Sequence, residues 1–275
     1  MKTLVIALST AKEAIRQPAF WALAILATLI LIISIFVPYF TFNEDIKMYK
    51  DTGLAIILLF SLILALLTAS STVAEEIEGK TAVTMLSKPI NRRQFIFGKY
   101  LGIELAVLAL FLILGAVFAW GVYYKAGYDL AEAAGQIDEL KRGWPHVFQI
   151  LPGLVLAFFE VSVLAAISVA ISTRMPMIAN LVICLSIFFI GHLTPVLVEA
   201  TQQPDQPANE LVKFMARLFS WAFPSLEFFN AGPAISTGAV VPWNAYVLPA
   251  LGYCVMYSGA ALLFAFLLFE NRDVA

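Results

Sequence analysis

The run Thr52-Gly53-Leu54-Ala55-Ile56-Ile57-Leu58-Leu59-Phe60-Ser61-Leu62-Ile63-Leu64-Ala65-Leu66-Leu67-Thr68-Ala69-Ser70-Ser71-Thr72-Val73-Ala74 carries no charge and ends against Glu75-Glu76. A helix crossing a hydrocarbon core of about 30 Å needs about 20 predominantly apolar residues, and this run supplies them. Working outward, five further stretches meet the same requirement: 19–40, 100–124, 150–173, 177–198 and 245–269. None alternates polar and apolar residues as a barrel strand would, and a backbone in lipid must satisfy its amides within the segment, so all six are expected to be helices. The fold class expected is therefore all-α integral membrane with six transmembrane helices.

Composition supports this reading. Of 275 residues, 61% are hydrophobic and 13% charged, against about 45–50% and about 25% in soluble domains. The net charge of −2 provides no basic patch for nucleic acid. Cys184 and Cys254 lie inside apolar runs, where cysteine serves as a small packing residue. The first apolar run is too long for a signal-peptide core and leads from Val37-Pro38 into Asn43-Glu44-Asp45 without a small-x-small cleavage site, so it is expected to be retained.

Lysine and arginine set the orientation. With the N-terminus inside, the inner segments hold Lys2, Lys12, Arg16, Lys80, Lys88, Arg92, Arg93, Lys99, Arg174 and Arg272, the larger share of the basic residues. Both termini are thus expected to be cytoplasmic, in the cell membrane. Residues 1–18 form an amphipathic stretch with Leu4, Leu8, Ala11 and Ile15 on one stripe, which suits an interfacial helix. Two long connections fall outside. Segment 125–149 holds a weakly amphipathic piece closed by Gly143-Trp144-Pro145. Segment 199–244 places Leu211, Phe214, Met215 and Leu218 at helical spacing, with Asn209 and Pro224 as cap and stop.

The inner segment 75–99 is the most polar piece of the chain. Thr81 to Ser87 reads as a short helix that Pro89 ends, and Asn91 with Gln94 fits a capping box for the third span. Arg92 and Arg93 then sit in a first helical turn, where the macrodipole disfavours cations by about 0.3–1 kcal/mol each. Anionic headgroups, at about 1 kcal/mol per basic residue, would offset this, as would docking to an acidic partner.

Glu75-Glu76-x-x-Gly79-Lys80-Thr81, then Leu86-Ser87-x-Pro89-Ile90-x-Arg92, then Phe95-x-x-Gly98-Lys99 resembles the cytoplasmic loop of the type-2 ABC transporter permease family. The resemblance extends to the N-terminal interfacial helix, the six spans, helical outer segments and a Phe269-x-x-Arg272-Asp273 tail, although Asn271 stands where the family is often basic. It implies an ATP-driven exporter permease and a coupling helix within 75–99 that touches a separate ABC ATPase subunit. Glu75, Glu76, Glu78, Gly79, Thr81, Leu86, Pro89, Arg92 and Arg93 would carry that contact. It further implies a homodimer, or a dimer with a related permease, and an exported substrate that the resemblance leaves unnamed.

Other chemistry finds few parts. Gly79-Lys80-Thr81 lacks the glycine a phosphate loop needs five residues before its second, where Ala74 stands, so ATP hydrolysis is expected in another chain and no cofactor here. His146 and His192 are the only histidines, and no metal or hydrolase motif is present. Glu160 lies mid-span and His192 nearer the outer side. A charge at that depth costs about 2.5–3.5 kcal/mol, so both should face the bundle or a wet cavity, either as structural groups or on a substrate path. Glu104 is expected to snorkel to the inner interface or to pair with a base such as Lys99. Two other readings of the chain are a membrane assembly or scaffold subunit and an ion-coupled carrier, the latter disfavoured by the absence of a repeat.

Overall fold

The structure, a computed structural model, describes residues 2–37, 45–74, 91–134, 143–202 and 210–270. Among these residues it contains helices and turns and no strand. In chain order the helices are α1 (Lys2–Arg16), α2 (Pro18–Phe36), α3 (Asp45–Ala69), α4 (Arg92–Ala134), α5 (Gly143–Ser172), α6 (Met177–Gln202), α7 (Glu210–Ala222), α8 (Gly232–Ser236) and α9 (Leu248–Glu270). Six of them, α2 to α6 and α9, are long and apolar enough to cross a membrane. The apolar side chains of α2 and α9 point largely away from the protein, with Ile25, Leu29, Ile33, Val255, Met256 and Leu263 exposed. A surface of that size and character is stable only against lipid or another protein.

The helices overrun the expected spans. α4 extends over 43 residues, about 65 Å at about 1.5 Å per residue, so residues 125–134 of the expected outer segment continue the third helix. Gly143-Trp144-Pro145 opens α5 rather than closing a separate piece. Proline fits there because first-turn amides have no acceptor within the helix. α3 begins at Asp45 and finishes in a π-helical turn, Ser70–Ala74.

Glycine and aromatic pairs lock the inner helices. Gly53 of α3 provides the space filled by the Phe118 ring of α4, and Gly121 of α4 provides the space filled by Tyr49 of α3. The two rings lie 5.6 Å apart in a tilted contact. Each helix thus gives the other a socket and a knob, an arrangement that van der Waals packing favours where lipid removes any hydrophobic gain between helices.

α1 lies along the first part of α4 on small residues. Ala7, Thr10, Ala11 and Ala14 are buried, and a Cβ on Gly102 would stand 2.6 Å from Thr10 Cβ and 2.7 Å from the Ala7 carbonyl oxygen. The expected stripe is divided between two surroundings, Ala11 buried and Ile15 packed against the core. Leu4 and Leu8 are exposed beside Val5, while Ile6 packs on Gly98 and the small residues Ala7 and Thr10 lie against Gly102. Leu4, Val5 and Leu8 make up the outward face.

The end of the bundle beside segment 75–90 is tied by two arginines. Arg92 Nη1 donates to the Phe269 carbonyl at 3.2 Å and Arg174 Nε to the Leu268 carbonyl at 3.0 Å. Both cations thus meet the carbonyl end of α9, where the helix dipole favours positive charge. The Arg92 guanidinium also lies 5.6 Å over the Phe269 ring. Asn91 N–H donates to Gln94 Oε1 at 3.4 Å, one half of the expected capping box. Arg92 thereby gains a partner that neither headgroups nor docking had suggested, while Arg93 is exposed.

Candidate functional site

α5 is the most enclosed of the long helices, and Glu160 projects from its middle. On α5, Gly153, Ala157 and Glu160 share a face at helical spacing, and on α3 Asp51, Leu54, Ala55 and Leu58 do the same. The two faces border a cleft of about 190 Å³, closed on a third side by His192 of α6 and on a fourth by the corner Phe229-Asn230-Ala231-Gly232. Glu160 and His192, far apart in sequence, are brought together here, with His192 Nε2 3.5 Å from Glu160 Oε1.

The corner is built by its turn chemistry. Leu226–Phe229 forms a 3-10 turn and Gly232–Ser236 the short α8. Asn230 joins them, its Nδ2 donating to Glu227 Oε1 at 3.1 Å and its Oδ1 accepting the Gly232 N–H at 3.3 Å. Two glycines let the corner reach into the bundle. A Cβ on Gly153 would stand 2.5 Å from Ile235 Cδ1, and one on Gly191 would stand 2.8 Å from Leu226 Cδ1. Gly238, at φ +85, turns the chain out again.

Both helices that supply the Glu160–His192 pair contain a proline, Pro152 in α5 and Pro195 in α6. Each lacks the backbone donor that would bond the carbonyl one turn earlier, and both helices continue through the proline. His192 is oriented by its own helix. Its Nδ1 lies 3.1 Å from the Phe188 carbonyl oxygen, and because a carbonyl only accepts, Nδ1 carries the hydrogen. Nε2 is then the atom that faces Glu160. Glu160 is buried, and its Oε1 has no hydrogen-bond partner.

Of the remaining intramembrane acids, Glu104 departs from expectation. It faces α5 rather than the inner interface, and Ser162 Oγ donates to its Oε2 at 2.7 Å. Among the expected partner-contact residues, Glu75, Glu76, Glu78, Gly79, Thr81, Leu86 and Pro89 lie outside the described residues, as do Asn209, Arg272 and Asp273. Asp51, Phe229 and Asn230 were not anticipated by sequence reasoning. For Asp51 the signal was an acid one residue short of an apolar run, and for the corner it was the density of turn residues between Pro224 and Pro242. Among the described residues no group of histidine, cysteine and acidic side chains is arranged to hold a metal ion.

Near the inner end, Asn180 of α6 forms a second buried polar group. Its Nδ2 lies 2.7 Å from Ser70 Oγ, 2.8 Å from Ser168 Oγ and 2.9 Å from Ser172 Oγ, and Cys184 Sγ–H donates to its Oδ1 at 3.2 Å. The π-turn of α3 is thereby fastened to α5 and α6 just before the chain enters segment 75–90.

A comparison with family models matches residues 4–274 to the family described as ABC-2 family transporter protein. No curated protein matches the chain.

Proposed function

The chain belongs to the ABC-2 transporter family, and from that membership we propose that it is the permease subunit of an ATP-driven exporter, coupled to a separate ATPase subunit. It is a multi-pass membrane protein and an ABC transporter permease. Export as the direction, the cell membrane as the location, cytoplasmic termini and a pairing with a second permease are the finer parts of the proposal. No covalent step is assigned to this chain. ATP binding and hydrolysis in the partner would move segment 75–99, and the helices it joins, α3 and α4, would carry that movement toward the Glu160–His192 cleft.

The observation that carries the reading is the family match across 4–274 together with the polar segment between α3 and α4. The helix ends on either side of that segment are firmly held, α3 by Asn180 and α4 by the Arg92 contact with α9, so a displacement of the segment would be passed on rather than absorbed locally.

The test is reconstitution with the ATPase subunit that copurifies in mild detergent. Glu76→Ala and Leu86→Ala should insert normally yet lower permease-dependent ATPase stimulation about tenfold or more, a loss of about 1.4 kcal/mol or more in coupling. Wild-type stimulation in both variants, or the absence of any ATPase in the purified complex, would remove the basis for the proposal.

A further inference from the structure

We propose that the cleft between α3, α5, α6 and the 226–236 corner binds a protonated amine, so that the transported substrate, or the part of it recognised here, is an organic cation. This rests on the permease reading above, since it names the substrate class for that path.

The first argument is the chemistry of the Glu160–His192 pair. With the His192 Nδ1 hydrogen committed to the Phe188 carbonyl at 3.1 Å, the neutral ring presents a bare Nε2 lone pair toward the carboxylate. Two acceptors then face each other across 3.5 Å, and Glu160 Oε1 is buried without a donor. Acceptors in that position require a hydrogen between or beside them. A proton on Nε2 would close the pair internally. An ammonium group, with three hydrogens on one nitrogen, would serve both acceptors from the open side.

The second argument is the surroundings, which favour the ammonium. The cleft volume of about 190 Å³ lies directly against the pair. Of its other polar lining residues, Asp51 adds a second carboxylate that increases the attraction for positive charge, while the Asn230 amide is bonded to Glu227 and Gly232. The rest of the wall is apolar, with Leu54 and Leu58 on one side and Phe229 on the other. Phe229 belongs to an aromatic group, its ring 5.7 Å from Tyr253 and 6.3 Å from Phe228. Aromatic faces beside carboxylates are the combination that recognises alkylammonium groups. A phosphate or carboxylate ligand would meet two acids here, and a neutral hydroxyl, with a single hydrogen, could serve only one of the two facing acceptors and would leave both carboxylate charges unbalanced.

The experiment uses three probes of nearly the same shape and different charge: benzylamine, benzyl alcohol and benzoate. Binding to the purified full-length protein in detergent is read by intrinsic fluorescence and by the shift in thermal unfolding. Benzylamine should bind at least about tenfold more tightly than the other two, and Glu160→Gln should weaken it about tenfold or more without lowering the unfolding temperature of the free protein. Ala55→Trp, which fills the cleft from an exposed position on α3, should abolish benzylamine binding even if Glu160→Gln folds poorly. Equal affinity for the three probes, no benzylamine binding, or unchanged binding in both variants would overturn the assignment and leave Glu160–His192 as an internal ion pair. Charge-selective binding that responds to both variants, with no ATP-driven movement of benzylamine in reconstituted vesicles, would uphold the amine site while counting against the exporter reading.

Discussion

At the inner end of the bundle, one amide serves three hydroxyls. The Asn180 NH₂ group has two hydrogens and lies within 2.9 Å of the hydroxyl oxygens of Ser70, Ser168 and Ser172, all buried, so its donors are shared and the cluster works as a unit. Asn180→Ala would leave those oxygens without the common donor. Interhelical hydrogen bonds in membranes are worth about 0.6 kcal/mol on average, and several lost together should cost about 1–2 kcal/mol. The loss is measurable as a lower SDS midpoint for unfolding in mixed micelles. Ser186→Ala provides the comparison, because Ser186 is exposed on the same helix and bonds only to the Val182 carbonyl. Equal effects for the two variants would show that the cluster contributes no cohesion. The importance of Asn180 was not legible in the sequence, since an asparagine among apolar residues gives no indication of which helices its partners belong to. Glu160 was legible as a deep acid whose cost demands a purpose. Its distance from His192 was not, because that depends on the rotation of two helices about their axes.

At the scale of the element, the seam between α1 and α4 is the contact most dependent on small residues. Gly98 and Gly102 lie one turn apart on α4, against Ile6, Thr3 and Thr10 of α1. Gly102→Leu would drive a side chain into the Ala7 carbonyl and Thr10, backbone included, and α1 would have to move away. Overpacking of this kind costs about 1–3 kcal/mol, and it should be read locally as faster tryptic cleavage after Lys12 and Arg16, both exposed on α1. Gly252→Leu on α9, where a side chain would meet nothing within 4 Å, should leave the cleavage rate unchanged. If Gly102→Leu also leaves it unchanged, α1 is not held by this seam. The helical character of α1 and its exposed charges were readable from periodicity, whereas its buried face was not. The stripe read from periodicity marked Leu4 and Leu8, which are exposed, and the face packed on α4 depends on glycines of a different helix, some ninety residues away. The same limit applies to the ends of α4 and α5. A hydropathy run marks where lipid begins and ends, but a helix continues past it wherever amides and caps allow.

For the molecule as a whole, the position of the cleft relative to segment 75–90 makes the proposed orientation in the membrane testable. Asp51 and Gly153 lie toward the starts of α3 and α5, and the 226–236 corner is joined to the start of α9, so the cleft occupies the half of the bundle opposite segment 75–90. Positive residues concentrate on the side of that segment, and the permease proposal accordingly puts the segment in the cytoplasm and the corner outside. The protein is suited to a direct test because its two cysteines, Cys184 and Cys254, are both buried, so a membrane-impermeant maleimide should leave the native chain nearly unlabelled. Thr237→Cys, beside Gly238 in the exposed turn after α8, should react in intact cells, whereas Lys88→Cys should react only once the membrane is opened. The reverse pattern would invert the molecule. Segment 75–99 would then be unable to meet a cytoplasmic ATPase. Labelling of both positions in intact cells would mean that one of the spans between them fails to cross. Only the predicted pattern puts the coupling segment within reach of ATP and the acid-lined cleft on the path outward, and it is the arrangement that links the sequence's most polar loop to its deepest carboxylate.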